Sequence, residues 1–414
     1  MQLEVSAPLA LLLVGTCIFT TTISHHHPTL RWLRLILAAP ACAAALCVAY
    51  PTVPAETRPG IRSQFALCGF ILLMRTLEVC VVGFWDEQTG ETWPRWQVRK
   101  EKSDGVEYVK LPLPTDLKGR LAYTLDNIIS SRGSSIFAGC SWNWAEKRIR
   151  DYNPSRSAYL RSMMKSVILW YLLGDVIEHF LYSRNFDSSI PHPITSRPLP
   201  QQIIAALALP AYSYAGTELL STSPSALILV GIFGLPPSAC PPIFAGHPFQ
   251  SASIAEFWSQ RWHTWFRRSF DRLSLPVIWL LRRIETARGL PFSTRTISFI
   301  RTFTIFSISA LIHVGVTYTI PSSPNRALHP FKSGQVTFFL MQPFGLCFEA
   351  TVVKSVTDGM PERWRMLVRR SFAWAWMVWT GRWIADWYAL LGLFEERTLP
   401  FSPVMFALEH LDLK

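Results

Sequence analysis

Seven stretches of this chain are apolar over lengths that can cross the roughly 30 Å of hydrocarbon in a bilayer: residues 5–23, 32–50, 64–85, 159–182, 296–320, 335–353 and 371–392. A backbone inside lipid must satisfy its own hydrogen bonds, which restricts such segments to helices or closed barrels. Runs of this length predict helices. An eighth apolar region, 202–245, contains Pro210 and then GLPPSACPP at 234–242, which predicts a break in any simple helix. Half of the residues are hydrophobic and only 16% are charged, against roughly 25% charged in soluble domains. The expected fold is all-α, a polytopic transmembrane helical bundle of about eight spans. No internal repeat or low-complexity tract divides the chain, so residues 1–414 are read as a single integral-membrane domain.

The net charge of +12 and pI near 9.5 would suit nucleic acid, an anionic small molecule or a membrane surface. The Lys and Arg residues lie between apolar spans, which favours the last two and excludes nucleic acid as a partner. They concentrate in the loop 86–158, in 261–295 and in 354–370, and the positive-inside rule predicts that all three are cytoplasmic. An even number of crossings between these loops gives eight crossings with both termini on the opposite side. The N-terminal MQLEVSAPLALLLVGTCIFTTTI lacks a basic leader and a cleavage site, so it is read as a retained first span. The eight cysteines, mostly inside apolar runs with no CxxC pair, are read as packing residues.

Between two spans lies EFWSQRWHTWFRR, residues 256–268. Ser253 with Glu256 three positions later has the form of a capping box, which predicts a helix start. At helical spacing Ile254, Phe257, Trp258, Trp262, Trp265, Phe266 and Leu273 share one face, while Glu256, Gln260, His263, Thr264, Arg267, Arg268 and Asp271 share the other. An amphipathic helix with aromatic and arginine faces belongs at a bilayer interface. From periodicity alone this helix is either an anchor or the wall of a site where an anionic cosubstrate meets the membrane.

A second histidine, His313, stands in FTIFSISALIHVGVTYTI. An ionisable residue at such depth is a functional hypothesis by default. Thr302, Ser309, His313 and Thr317 fall on one helix face, and this narrow polar stripe is expected to line a cavity. A structural alternative is a neutral histidine bonded to Ser309 or to a neighbouring helix. A neutral imidazole can also serve as a general base toward an alcohol.

Together the two segments resemble the membrane-bound O-acyltransferases, specifically their wax synthase-like branch. EFWSQRWH at 256–263 resembles that branch's Phe-Trp-x-x-Arg-Trp-His motif, and SALIH at 309–313 resembles the segment bearing the family's catalytic histidine. The chain looks most like fungal acetyltransferases of terpenoid and meroterpenoid biosynthesis, with SSRGSSIFAGCSWNW at 130–144 resembling their Trp-rich cytoplasmic segment. Ser259 and Gln260 depart from the Gly and Arg common at those positions. The resemblance implies that His313 is the catalytic base and that His263 occupies the second catalytic position. It also implies acyl transfer from acetyl-coenzyme A, a cosubstrate rather than a bound cofactor, to a lipophilic alcohol in the endoplasmic reticulum membrane. Arg261, Trp262, Arg267 and Arg268 would contact the coenzyme, and no metal is involved. Long-chain acyl transfer to make wax or sterol esters is a close alternative. From another class, Arg75, Asp175, Glu178 and His313 could line a transport pathway, although no inverted repeat supports it.

Three other polar groups carry expectations. Asp175, Glu178 and His179 share a face of the fourth span and are expected to pair with Arg75 and Glu78 of the third. His25, His26 and His27 are read as a solvated loop. Arg382 is expected to pair with Asp386 at i, i+4.

Overall fold

The computed structural model describes residues 6–51, 57–89, 94–102, 105–130, 132–137, 140–183, 190–219, 226–244, 246–262, 264–320, 333–395 and 399–410. Helices dominate them. The N-terminal part packs three: α1 (Ala7–His26), α2 (Arg31–Ala49) and α3 (Pro59–Thr76). A π-helical stretch, Leu77–Val82, carries α3 into a further turn, Gly83–Thr89. Small side chains permit the close approach: a Cβ on Gly69 would lie 2.3 Å from the backbone nitrogen of Ala49. The triplet that sequence placed in a loop partly extends α1, which runs through His26, and only His27 of the described side chains there is fully exposed.

The basic segment 86–158 departs from the expected loop. It holds a hairpin, β1 (Trp96–Lys102) and β2 (Gly105–Lys110), then α4 (Leu117–Ile129), and then β3 (Ser141–Trp142), giving an antiparallel sheet in the order β2-β1-β3. Its own small core buries Leu113, Tyr123 and Trp142. The hairpin pairing begins at Lys102 opposite Gly105.

The rest of the chain forms the larger bundle: α5 (Arg156–Ser183), α6 (Leu199–Thr217), α7 (Arg267–Arg288), α8 (Thr294–Tyr318), α9 (Gly334–Phe348) and α10 (Glu362–Leu390), with a short α11 (Pro403–His410) packed on α5. Leu209 of α6, Phe306 and Ala310 of α8, Phe338 and Phe339 of α9, and Ile384 and Ala385 of α10 form its core. Five helical stretches of the described residues are long and apolar enough to span a membrane: Ala7–His25, Pro28–Ala49, Pro59–Asp86, Thr294–Tyr318 and Gly334–Thr357. The other three expected spans fall on α5, α6 and α10, long helices with more polar residues. On α5, Ile168, Leu169, Leu172 and Val176 are all at least 45% exposed, an apolar outer face suited to lipid. Pro210 does not end α6, which continues to Thr217. Proline is tolerated in membrane helices where neighbours satisfy the freed carbonyl.

Several expected pairings take other partners. Asp175 and Glu178 accept hydrogen bonds from the backbone N–H groups of Val404 (2.8 Å) and Leu399 (3.4 Å), so they hold the C-terminal segment against α5 rather than Arg75. Arg382 donates to Gln202 (2.8 Å) and stacks on Trp379, while Asp386 accepts from the N–H groups of Ile194 (2.9 Å) and Thr195 (3.2 Å). In each case a carboxylate meets backbone donors in a turn or at the start of a helix. Helix starts carry unsatisfied N–H groups, and sequence spacing does not reveal where they will lie.

Candidate active site

The capping box forms at Ser253, whose hydroxyl accepts from the N–H of Glu256 (2.9 Å), while the Glu256 carboxylate accepts from Ala252 N–H (2.8 Å). The long amphipathic helix expected from it does not form. Three α-helical residues, Ile254–Glu256, pass into a π turn, Phe257–Arg261, and the backbone becomes extended at Trp262 (φ −95°, ψ 137°). Helix resumes at Arg267 as α7. The aromatic rings assigned to a bilayer anchor turn inward instead. Phe257, Trp262 and Phe266 are buried, with Phe257 stacked on Trp262 at 5.4 Å between ring centroids and Trp262 also against Phe244. Aromatic periodicity reports an apolar surrounding; it does not separate lipid from protein interior.

Glu349, in a π-helical stretch that follows α9, fixes the start of this segment. Its two carboxylate oxygens accept from the N–H groups of Ile254 (2.8 Å) and Ala255 (3.1 Å), which satisfies donors that the short helix leaves open. Trp258 is held separately. Its indole N–H donates to Gln342 (3.3 Å), and the Gln342 amide donates to the Phe338 carbonyl and to Thr380.

So held, Phe257, Trp258 and Trp262 line a chamber of about 150 Å³ together with His313. The rest is contributed by α6 (Leu209, Pro210, Ser213), α9 (Phe338, Phe339) and α10 (Met377, Gly381, Tyr388). Of the expected polar stripe only His313 lines the chamber; Ser309 and Thr317 are buried in helix packing, where Thr317 donates to the His313 carbonyl and accepts from Gln335 (2.8 Å). The imidazole lies against Phe339, with ring centroids 4.4 Å apart, and its Nδ1 is 3.2 Å from the Tyr388 hydroxyl. Of the alternatives for its partner, the neighbouring helix supplies it. Leu207, Trp374 and Val378 line both this chamber and a shallow surface groove with Phe249 and Arg370. The chamber therefore meets the outer surface between α6 and α10.

A second cleft, of about 350 Å³, is lined by Arg132, Arg148, Arg267, Arg268, Arg272 and Arg301, with Glu146 and Asp271 as its carboxylates. Glu146 accepts from Arg148 (2.8 Å) and Arg267 (2.9 Å), Asp271 accepts from Arg301 (3.3 Å), and Arg272 pairs with Asp86. Arg268 donates to the buried Glu78 (2.6 Å), which also binds Arg75 (2.9 Å) and Ser269 (2.6 Å). Arg132 differs. It is 9% exposed, its Nη1 donates to the Pro241 carbonyl at 3.3 Å, and its Nη2 is buried without a hydrogen-bond partner among the described residues. Burial, then the adjacent Arg148 guanidinium, pulls its pKa below the ordinary arginine value. The turn that presents it needs glycine. Gly133 has φ +91°, and a Cβ there would fall 2.8 Å from the Cα of Ala145.

The predicted site residues thus divide. Trp262 borders the chamber with His313, and Arg267 and Arg268 line the arginine cleft. Arg261 is bonded to Glu256 (2.7 Å) and to the His247 carbonyl (3.1 Å) and is not among the residues lining either cavity. His263 lies outside the described residues. Its neighbours mark the step between cavities, since Trp262 borders the chamber while Thr264, bonded to the Ile243 carbonyl, borders the cleft. Sequence reasoning missed Tyr388, Arg132 and Glu349. For Arg132 a signal was available in the Arg-Gly pair of the Trp-rich segment. For the other two, contacts across 75 and 95 residues leave no local pattern. Among the described residues no cluster of His, Cys, Asp and Glu has the arrangement of a metal site.

Comparison with curated proteins yields no match. Residues 240–341, which carry the 256–263 segment, His313 and both walls of the chamber that α8 and α9 supply, match the model of the membrane bound O-acyl transferase family, and this match supports acyl transfer within a membrane as the chain's activity.

Proposed function

We propose that the protein moves an acetyl group from acetyl-coenzyme A to a hydroxyl of a terpenoid or meroterpenoid alcohol in the endoplasmic reticulum membrane. One observation carries the reading: the segment 256–264 has an apolar, histidine-bearing chamber against one part and an arginine-lined cleft against another. The coenzyme's phosphates suit the cleft, where guanidinium forks match phosphate oxygens. Arg301 and His313 lie on one helix, and their twelve-residue separation is about 18 Å of axial rise, a span comparable to a phosphopantetheine arm. The lipophilic acceptor enters from the bilayer through the gap between α6 and α10.

In the chamber His313 takes the hydroxyl proton as the alcohol oxygen attacks the thioester carbonyl carbon. The tetrahedral intermediate collapses, the C–S bond breaks, and the coenzyme sulfur leaves with the proton held by the imidazolium. His263 is assigned the second catalytic position, holding the thioester or its developing oxyanion. No acyl-enzyme is required.

The reading is tested with microsomes from a heterologous host given labelled acetyl- or palmitoyl-coenzyme A and a panel of terpenoid alcohols. Acetyl ester formation is expected, and preferential palmitoyl transfer would replace the acetyl reading with the wax ester one. Uptake of alcohol into sealed vesicles without ester would point to transport. Arg132→Gln should raise the KM for acetyl-coenzyme A about tenfold, the worth of one charge-assisted hydrogen bond, with kcat nearly unchanged. An unaltered KM would remove Arg132 from the coenzyme site.

A further inference from the structure

We infer that Tyr388 is the positioning residue that makes His313 a base, by accepting a hydrogen bond from its Nδ1 and leaving the Nε2 lone pair for the alcohol. The inference rests on the general-base reading of His313 given above. A neutral imidazole carries one N–H and one lone pair. Which nitrogen holds the proton is set by the partner of the other. Here the partner is the Tyr388 phenol oxygen, 3.2 Å from Nδ1; a phenol can donate or accept, and the accepting role that the inference assigns to it is the one that selects the tautomer with a free Nε2.

The surroundings hold both groups in register. Phe339 covers a face of the imidazole. Two residues before Tyr388, Asp386 ties α10 to the backbone of Ile194 and Thr195, and Trp387, Ala389 and Leu390 are buried. His313 and Tyr388 both line the chamber. The tyrosine stays a neutral phenol throughout. When His313 takes the alcohol proton on Nε2, the Nδ1–H bond to the phenol becomes charge-assisted and strengthens. When the coenzyme sulfur takes that proton, the original tautomer returns.

The test compares Tyr388→Phe with the wild type, using an active alcohol from the panel and its analogue carrying fluorine beside the carbinol carbon. The fluorinated alcohol is more acidic and so depends less on a base. With the ordinary alcohol, kcat is expected to fall about tenfold to a hundredfold, by analogy with losing the partner that orients a metal-bound histidine, while the KM for acetyl-coenzyme A stays within about twofold. With the fluorinated alcohol the loss should shrink to about threefold or less. Equal losses on both alcohols would assign Tyr388 a packing role, and no loss on either would remove it from the site. Phe339→Leu, which removes a ring contact but no hydrogen bond, should reduce both alcohols alike. His313→Ala separates the two claims: if it is inactive while Tyr388→Phe is unaffected, only the tyrosine assignment fails.

Discussion

His313→Ala is expected to reduce ester formation by about 10²–10⁴-fold, the range spanned by a positioned acid–base group, without displacing the protein from the membrane. The substitution shortens a side chain at the chamber wall and leaves the helix intact, since alanine is the best helix former. The bond between the Thr317 hydroxyl and the residue 313 carbonyl (2.9 Å) involves only backbone at that position and survives. Binding should survive too, because the arginine cleft is untouched. The loss should therefore fall on kcat, with the KM for the acyl donor little changed. Full turnover by this variant, at normal abundance in the membrane fraction, is the result that sinks the catalytic assignment.

Glu78→Ala is expected to act on stability. Glu78 lies in the π-helical continuation of α3, is 2% exposed, and accepts from Arg75, Arg268 and Ser269. Arg75 in turn donates to the Ser130 carbonyl at 2.7 Å. One carboxylate thus joins a membrane span, the helix after the 256–266 segment and the end of α4. Its removal leaves the buried Arg75 guanidinium facing the half-buried Arg268; breaking a fully buried pair costs about 3–5 kcal/mol, and the exposure of Arg268 to the cleft lowers the expected cost below that range. A clear fall in the thermal midpoint of the detergent-solubilised protein should follow. Glu78→Gln, which keeps the shape and one acceptor, should lose less. An unchanged midpoint in Glu78→Ala would show that the network contributes nothing net.

The helical membrane bundle was readable because lipid imposes one solution on a long apolar run. His313 was readable because a polar residue at that depth is rare and its stripe follows helical spacing. The course of 256–268 was not. The residues of an amphipathic helix are all there, but Trp262 and Phe266 find protein partners in Phe257, Phe244 and Phe270, and burying rings in two directions breaks the helix. The partners of Glu78 were misassigned for a related reason. Composition does not say which of the chain's many basic side chains meets Glu78, and only the packing of α7 beside the α3 continuation brings Arg268 to it. The small sheet was hidden because the charges along 96–110 made the segment look like an ordinary basic loop.

The extended backbone at Trp262 has a consequence for how water is managed. Thr264 borders, on the proposed reading, the compartment of the charged donor and Trp262 that of the oily acceptor. On the proposed reading, neither reactant has to change solvent, and only the thioester end needs to cross. Trp262 is, on the same reading, the side chain placed to keep water from the thioester. The ratio of ester to free acetate, rather than the rate alone, would then measure how well that indole keeps water out.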